Sequence, residues 1–245
     1  MRDLRAIIIG SAFALSGLEG RAFETYDACL EAIGKAPKQA VDQAAKWAEF
    51  DGGWAALHCQ ALALAAVGAP VQAATILVDV GTEAAELPRQ VRAEMFVQAG
   101  ELFLEAEEVT EAEESLLRAT NLADDRSLPL SLSAAIKMHR GRPRAAIADY
   151  GEAIRLGGPR LGYLLGRSEA RLRAGDAIGA RDDAVWAREL APEDPEVLYQ
   201  FGRASVVLGD RKAARQAWID VIAMARGTSL EEAARLSLQR MEAGQ

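Results

Sequence analysis

The sequence predicts an all-α fold, an α-solenoid of about six helix-turn-helix repeats closed by a C-terminal capping helix. Small residues recur every 34 positions, at Ala112, Ala146, Ala180 and Ala214. A fixed period of this length indicates stacked copies of one helical unit. The composition agrees, because alanine is abundant, aromatic residues make up only 6% of the chain, and alternating β-branched runs are nearly absent.

Other positions keep the same 34-residue phase. A second small residue stands twelve positions before each of these alanines, and a third stands seven positions after it. The earlier set is Gly100, Ala134, Ser168 and Gly202, and the later set is Ala119, Ala153, Ala187 and Val221. Two helices of a pair cross closely only where the side chains at the contact are small. These phases are therefore expected to mark the crossing points, where a larger side chain would overpack.

Glycines and prolines divide each repeat into two helices. Gly141, Gly175 and Gly209 stand five positions before three of the alanines, whereas Glu107 stands at the fourth turn. Glycine is a frequent residue at the C-terminal end of a helix. The first predicted pair of helices is 23–33 and 37–50. A second pair begins at 54 and is followed by a longer loop around 81–90. The remaining pairs are 93–105 and 111–121, 131–140 and 144–156, 161–174 and 178–190, and 196–208 and 211–225.

The chain divides into an N-terminal segment, 1–22, and a repeat domain, 23–243. The repeat units cover about 23–53, 54–92, 93–126, 127–160, 161–194 and 195–228, and the capping helix covers 229–243. Ser229 is a favourable N-cap, and Glu232 three positions later completes a capping box. The last helix, 230–242, is therefore expected to cover the exposed end of the last repeat.

The N-terminal segment has the pattern of a secretory signal. Arg2 and Arg5 precede an apolar run at 6–18, and Gly20 and Ala22 place small residues where a signal peptidase would cleave. The run is too short to span a bilayer, which needs roughly 20 apolar residues, so no stable membrane insertion is expected. The alternative is an amphipathic N-terminal helix that is retained and caps the solenoid.

Charge argues against a nucleic-acid partner. The chain has a net charge of −8 and no continuous basic stripe, whereas neutralisation of phosphates dominates affinity for nucleic acids. The charges are uneven: residues 101–125 carry nine acidic side chains and one basic side chain, Arg118, and residues 137–181 carry ten Lys or Arg against four Asp or Glu. These segments are either solvated helix faces or a polar partner-binding surface.

The sequence offers few groups for catalysis. His58 and His139 are the two histidines, they lie in different repeats, and no His, Cys or Asp grouping has the spacing of a metal site. We therefore expect no catalytic residues, no cofactor and no metal. The alternative in the enzyme class is a protein that acts on the cell wall with the helical array as its platform.

Bulky, small and aromatic residues follow a recurring order within the pairs. The positions that keep this order are Phe96, Gly100, Phe103, Ala112, Leu116 and Ala119, then Ala146, Tyr150 and Ala153, then Ala214, Trp218 and Val221. Over about 23–243 the chain resembles the tetratricopeptide-repeat family, although a closing proline is clear only at Pro192 and Ser205 stands where an aromatic residue belongs. The resemblance implies a right-handed superhelix whose first helices line a concave face.

Members of this family usually bind peptides on the concave face. The residues expected to point there are His58, Leu62, Val97, Glu101, Leu104, Ala135, Met138, Leu165, Glu169, Arg173, Tyr199 and Arg203. Tyr199 and Arg203 lie four positions apart on one helix and are expected to be a binding hot spot. The family's carboxylate clamp for chaperone tails needs Lys or Arg and Asn at inward positions that here hold His58, Leu62 and Gln98, so that clamp is absent.

The two cysteines, Cys29 and Cys59, lie in the first helices of successive pairs, which are neighbours in this architecture. In an exported protein this arrangement suggests a disulfide, and the alternative is two buried free thiols. Together these features predict a non-enzymatic scaffold in the bacterial periplasm that binds a protein or peptide. The alternative is a cytoplasmic helical adaptor with an uncleaved N-terminal helix.

Overall fold

The computed structural model describes residues 23, 25–50 and 52–244, which form thirteen α-helices and no strand. The predicted signal segment, 1–22, lies outside the described residues. In chain order the helices are α1 (Tyr26–Lys35), α2 (Pro37–Phe50), α3 (Gly53–Ala66), α4 (Pro70–Glu83), α5 (Arg89–Glu105), α6 (Val109–Leu122), α7 (Ser127–His139), α8 (Pro143–Gly157), α9 (Leu161–Ala174), α10 (Ala177–Leu190), α11 (Pro195–Val207), α12 (Arg211–Met224) and α13 (Ser229–Glu242). The all-α prediction is confirmed.

The chain forms two compact units, one ending at Ala69 and the other beginning at Pro70. This boundary falls inside the predicted repeat unit 54–92, between α3 and α4. In the first unit α1, α2 and α3 all contact one another. Their core consists of Cys29, Ala44, Trp47, Ala56 and Cys59.

In the second unit each helix from α4 to α13 packs against the next one along the chain. We call α5, α7, α9 and α11 the first helices and α6, α8, α10 and α12 the second helices. The helices α7, α9, α11 and α13 also contact one another in that order, more extensively than successive second helices do. They therefore form the inner row of this unit, and α13 takes the position of a further first helix.

The 34-residue phases lie where the helices of a pair cross. Ala112, Ala146, Ala180 and Ala214 have no solvent exposure. A Cβ added to Gly202 would lie 2.4 Å from Nε1 of Trp218 on the paired helix, which is far inside van der Waals contact. The small residues at these phases thus let the paired helices approach, as the periodicity predicts.

The turn glycines adopt a left-handed backbone. Gly141, Gly175 and Gly209 have φ angles of +68°, +84° and +82°. Glu107, at the same phase, has a φ of +63° and is the one non-glycine residue with positive φ among the described residues. The repeat geometry therefore imposes the turn conformation even where the side chain disfavours it.

Four helix starts differ from the sequence predictions by two or more residues, and the N-cap of the last helix differs as well. Helix α1 begins at Tyr26 rather than 23, and α6 begins at Val109 rather than 111. Helix α7 begins at Ser127 rather than 131, because Pro129 lies in its first turn, where a missing backbone N–H costs no helical hydrogen bond. Helix α5 begins at Arg89 rather than 93, which shortens the loop predicted around 81–90. The N-cap of α13 is Thr228 rather than Ser229: its Oγ1 accepts from the Glu231 backbone N–H at 3.3 Å. The predicted Ser–Glu pair was one residue out of register.

Candidate functional site

The first unit contains two of the predicted concave-face residues, His58 and Leu62, both half-buried on α3. A hydrogen bond of 2.7 Å joins His58 Nδ1 to the Tyr26 hydroxyl of α1. The two rings also stack with their centroids 5.8 Å apart. Burial raises the pKa of Tyr26, so its hydroxyl stays protonated. The His58 ring therefore helps to pack α3 against α1.

In the same unit the structure joins Cys29 of α1 to Cys59 of α3 in a disulfide. Their Cα atoms lie 6.3 Å apart, within the usual range for disulfides of roughly 4.4–6.8 Å. Both side chains have no solvent exposure. The bridge therefore lies inside the core that holds α1, α2 and α3 together.

The predicted concave-face residues of the second unit lie on α5, α7, α9 and α11, and they differ in exposure. Glu101, Ala135 and Arg173 are exposed. The half-buried residues are Leu104, Met138, Leu165, Glu169, Tyr199 and Arg203, and Val97 is buried. Val97, Met138 and Leu165 also pack against core clusters, so their apolar side chains serve the packing of the repeats as well as the inner surface.

Three of the predicted residues form one ion cluster between α9 and α11. Arg173 Nε donates to Glu169 Oε1 at 2.8 Å, and Arg203 Nη1 donates to the other oxygen, Oε2. Burial by itself would raise the pKa of Glu169, but the hydrogen bonds and charges of Arg203 and Arg173 outweigh it and hold that pKa below its ordinary value. One carboxylate thus holds two guanidinium groups on the inner row.

A depression of about 340 Å³, which we call the α9–α13 pocket, opens beside this cluster. Its apolar lining is Leu172, Val206, Val207, Trp218 and Met241. Its polar lining is Arg173, Arg203, Ser237 and Arg240. The sequence analysis places Arg173 and Arg203 on the concave face, but it assigns no residue of α13 to the binding surface. The sequence contained a signal for this pocket. Leu172 and Val206 are apolar residues 34 positions apart, and α13 follows at the position of a further first helix.

Tyr199 is not part of the pocket lining. Its hydroxyl lies 3.3 Å from Ser237 Oγ of α13, and its ring packs against the core cluster that includes Leu198, Trp218 and Met241. The Arg203 guanidinium carbon lies 6.0 Å from the centre of the Tyr199 ring. Of the two residues expected to form a hot spot, only Arg203 lines the depression, and Tyr199 contributes mainly to the packing of α13.

A second depression, of about 490 Å³, lies at the start of α8 and shares Arg173 with the first. We call it the Arg142 pocket, because Arg142 and Arg144 line it together with Gly141, Pro143, Ala145 and Ala174. A third depression, of about 340 Å³, lies between α5 and the start of α7 and brings together the predicted residues Val97 and Glu101. Glu94 and Asp125 also line it, so the surface beside α5 is acidic.

Most of the basic segment 137–181 is neutralised by ion pairs. Eight of its ten basic side chains pair with a carboxylate: Lys137, Arg140, Arg155, Arg160, Arg167, Arg171, Arg173 and Arg181. Arg142 and Arg144 form no ion pair within the described part of the chain. Both are exposed and both line the Arg142 pocket, so the positive charge that remains available is concentrated there.

The sequence prediction missed a buried ion cluster between α9 and α10. Asp183 is 2% exposed and accepts from Arg167 Nη2 at 2.6 Å and from Arg171 Nη1 at 2.7 Å. The same arrangement stands 34 residues earlier, where Lys137 pairs with Asp149. The sequence contained a signal for this cluster, because Asp149 and Asp183 are 34 residues apart and so are the basic residues Lys137 and Arg171. The cluster fastens the paired helices rather than forming part of the inner surface.

Within the described residues, no three or more His, Cys, Asp or Glu side chains are grouped so that they could hold a metal ion. In the same part of the chain, none of the helices is long and apolar enough to cross a membrane.

Solved structures with a similar helix arrangement are tetratricopeptide-repeat proteins. PilF of Pseudomonas aeruginosa has a TM-score of 0.69 at 17% identity, over 90% of this chain and 96% of its own. The C-terminal part of a repeat protein from Cytophaga hutchinsonii has a TM-score of 0.70 at 12% identity, over 89% and 86%. YrrB, described as a TPR protein with an unusual peptide-binding site, has a TM-score of 0.59 at 14% identity, over 82% and 98%. No family model and no curated protein matches the sequence. These likenesses show the helical-repeat fold of tetratricopeptide-repeat proteins.

Proposed function

We propose that this chain, which has the tetratricopeptide-repeat fold, is a non-enzymatic scaffold of the bacterial cell envelope that binds a protein or peptide on its inner row. The α9–α13 pocket is the observation that carries the proposal. It combines an apolar lining from Leu172, Val206 and Met241 with arginine side chains at its edge. Such a depression buries an apolar side chain of a partner while the charged groups fix its orientation.

The chemistry of this pocket favours recognition over catalysis. Its titratable side chains are arginines, two of which are already held by Glu169. The one hydroxyl in its lining, on Ser237, lies beside the Tyr199 hydroxyl rather than beside a general base. The comparison with YrrB, a repeat protein described as having a peptide-binding site, supports the same class of function for this fold.

The envelope location is supported by the N-terminal pattern and by the disulfide. Arg2 and Arg5 before the apolar run at 6–18 are typical of an export signal, and disulfides persist in oxidising compartments. The test is the intact mass of the protein from its native host, which should lack about the first 22 residues. Soluble cytosolic protein that still carries Met1 would favour the alternative, a cytoplasmic adaptor with a retained N-terminal helix.

Binding at the inner row can be tested by site-specific photo-crosslinking in the native host. Val207 is 64% exposed and lines the α9–α13 pocket, whereas Leu117 is 62% exposed on the second helix α6. A photoreactive residue at Val207 should give a protein adduct of defined mass, and the same residue at Leu117 should not. Equal adducts at both positions, or none at Val207, would contradict the proposed site.

A further inference from the structure

We propose that the partner segment is an acidic peptide with an apolar anchor residue. The anchor enters the α9–α13 pocket, and the flanking carboxylates lie along Arg240, Arg203 and Arg173 toward the Arg142 pocket. This inference rests on the proposed function, because it names the class of partner for the same inner row. The two depressions share Arg173, so one extended segment can contact both.

The first argument is the charge of the two depressions. Five arginines line them, and no carboxylate stands among the described residues that line either one. This contrasts with the whole chain, which has a net charge of −8. Arg142, Arg144 and Arg240 are exposed and form no ion pair within the described part of the chain. A local excess of positive charge on an acidic protein attracts an acidic partner segment to this place.

The second argument is the fixed position of the two central arginines. Glu169 holds Arg173 from one side and Arg203 from the other. Two guanidinium groups on one carboxylate leave one positive charge in excess, and each guanidinium keeps further N–H donors. Because an oriented arginine fork binds a carboxylate or a phosphate through two parallel hydrogen bonds, this arrangement favours such anions over neutral acceptors.

The third argument is the apolar lining, which favours a peptide over a nucleic acid. Leu172, Val206 and Val207 present aliphatic surface beside the arginines, with Trp218 and Met241 buried beneath. A polyphosphate chain has no apolar group to bury there. The acidic depression between α5 and α7, lined by Glu94, Glu101 and Asp125, lies further along the same unit and would repel a long polyanion. A short acidic segment that runs from the α9–α13 pocket to the Arg142 pocket does not reach this acidic depression.

The decisive measurement is fluorescence anisotropy with capped, labelled peptides of defined sequence. The probe is Glu-Asp-Leu-Phe-Glu-Asp, its neutral match is Gln-Asn-Leu-Phe-Gln-Asn, and its match without an anchor is Glu-Asp-Ser-Ser-Glu-Asp. Low ionic strength is used because the attraction between exposed charges is screened by salt. The acidic probe with the anchor should bind at least tenfold more tightly than either match. Equal binding of the neutral peptide would overturn the proposal.

Variants then locate the contact. Arg142→Gln, Arg144→Gln and Arg240→Gln together should weaken binding of the acidic probe at least tenfold and reduce its salt dependence. These arginines make no ion pairs within the described residues, so circular dichroism and the melting temperature should be unchanged. The matched control is Lys212→Gln, an exposed cation on the second helix α12, which should leave binding unchanged. An oligonucleotide of equal charge that bound more tightly than the peptide would identify a different class of partner and overturn the proposal.

The crosslink at Val207 separates failure of this inference from failure of the proposed function. If the Val207 adduct disappears in the triple variant, the arginines recruit the partner, as expected. If the adduct persists unchanged in that variant, the chain binds a protein at the inner row but the acidic class is wrong. If no Val207 adduct forms in the native protein, the binding site itself is wrong.

Discussion

Arg203 of α11 forms an ion pair with Glu169 of α9, the residue that occupies the same repeat phase one unit earlier. The contact therefore links two consecutive first helices at equivalent positions. The equivalent positions in the two preceding units are Ala135 and Glu101. Among these four units, opposite charges therefore occupy this phase in consecutive first helices at Glu169 and Arg203 alone. Arg173 adds a second cation from the turn that follows on α9.

The depressed pKa of Glu169 predicts a dependence of stability on pH. A carboxyl group with a lowered pKa in the folded state stabilises the protein above its unfolded pKa of about 4.3, and the contribution is lost as the pH falls through the folded value. The free energy of unfolding in urea should therefore differ most between wild type and Glu169→Gln near neutral pH. The difference should shrink as the pH falls below about 4.

Glu189→Gln is the matched control for this measurement. Glu189 is exposed on the second helix α10 and should show little difference from wild type at any pH. A gap between wild type and Glu169→Gln that stayed constant from neutral to acidic pH would contradict the role assigned to the Glu169 charge.

The helices of the second unit were predictable because glycine, proline and small residues fix them locally. Gly175 and Gly209 follow the ends of α9 and α11 closely, and Pro195 opens α11 at its first position. The start of α7 was missed because Pro129 suggests a break, although a proline in the first turn is compatible with a helix.

The candidate site was only partly predictable, because inward-facing positions can be extrapolated from one repeat to the next but the groups that pair there cannot. Arg203 and Glu169 were identified one by one, whereas their ion pair depends on the distance between α9 and α11. Tyr199 has the same phase as the half-buried Leu165 one repeat earlier, but α13 packs over it. A non-repeating capping helix changes its surroundings, and the period carries no information about that.

The left-handed backbone of Glu107 predicts that Glu107→Gly stabilises the protein. A residue with a side chain in this region costs roughly 1–2 kcal/mol, and part of the gain is offset because glycine loses more entropy on folding. We expect a net increase of about 1 kcal/mol in the free energy of unfolding by urea. The control is Glu114→Gly, at an exposed position inside α6, which should destabilise by about 1 kcal/mol. A loss of stability in Glu107→Gly would contradict the strain at this turn.

Two glycines within helices should respond to alanine in opposite directions. Gly202→Ala places a Cβ 2.4 Å from Trp218 Nε1 and should destabilise by about 1–3 kcal/mol, because the crossing of α11 and α12 has no room for it. Gly151→Ala meets only Nη1 of Arg167, at an ordinary van der Waals distance of 3.8 Å, and should stabilise α8 by about 0.5–1 kcal/mol. Thermal unfolding of both variants tests this. Equal effects would show that helix propensity, rather than packing, decides both positions.

The Cys29–Cys59 bridge should stabilise the first unit. It closes a loop with a sequence separation of 30, which is worth roughly 3–4 kcal/mol in the chain-entropy model. Replacing both cysteines by alanine should increase hydrogen exchange in α1, α2 and α3, and wild type treated with a reductant should show the same increase. Non-reducing peptide mapping of protein from the native host should show the two cysteine peptides linked. Free thiols at both positions would contradict the bridge and weaken the case for export.

The buried Asp183 cluster leads to a prediction about side-chain replacement between repeats. The ion cluster of one repeat should be replaceable by the apolar side chains that the next repeat has at the same phases. Asp183→Ala removes the carboxylate that Arg167 and Arg171 share, although Arg171 keeps a longer contact with Asp176. Breaking a buried pair in this way costs about 3–5 kcal/mol. One repeat later the same three phases hold Phe201, Ser205 and Ala217, which are buried and apolar or small. The triple variant Arg167→Phe, Arg171→Ala and Asp183→Ala follows that solution, with alanine in place of the serine, and should recover most of the lost stability, because a well-packed apolar replacement of a buried ion cluster is often neutral. Urea unfolding of wild type, single and triple variants compares the three states. A triple variant as unstable as Asp183→Ala would show that the ion cluster contributes more to this crossing than apolar packing can.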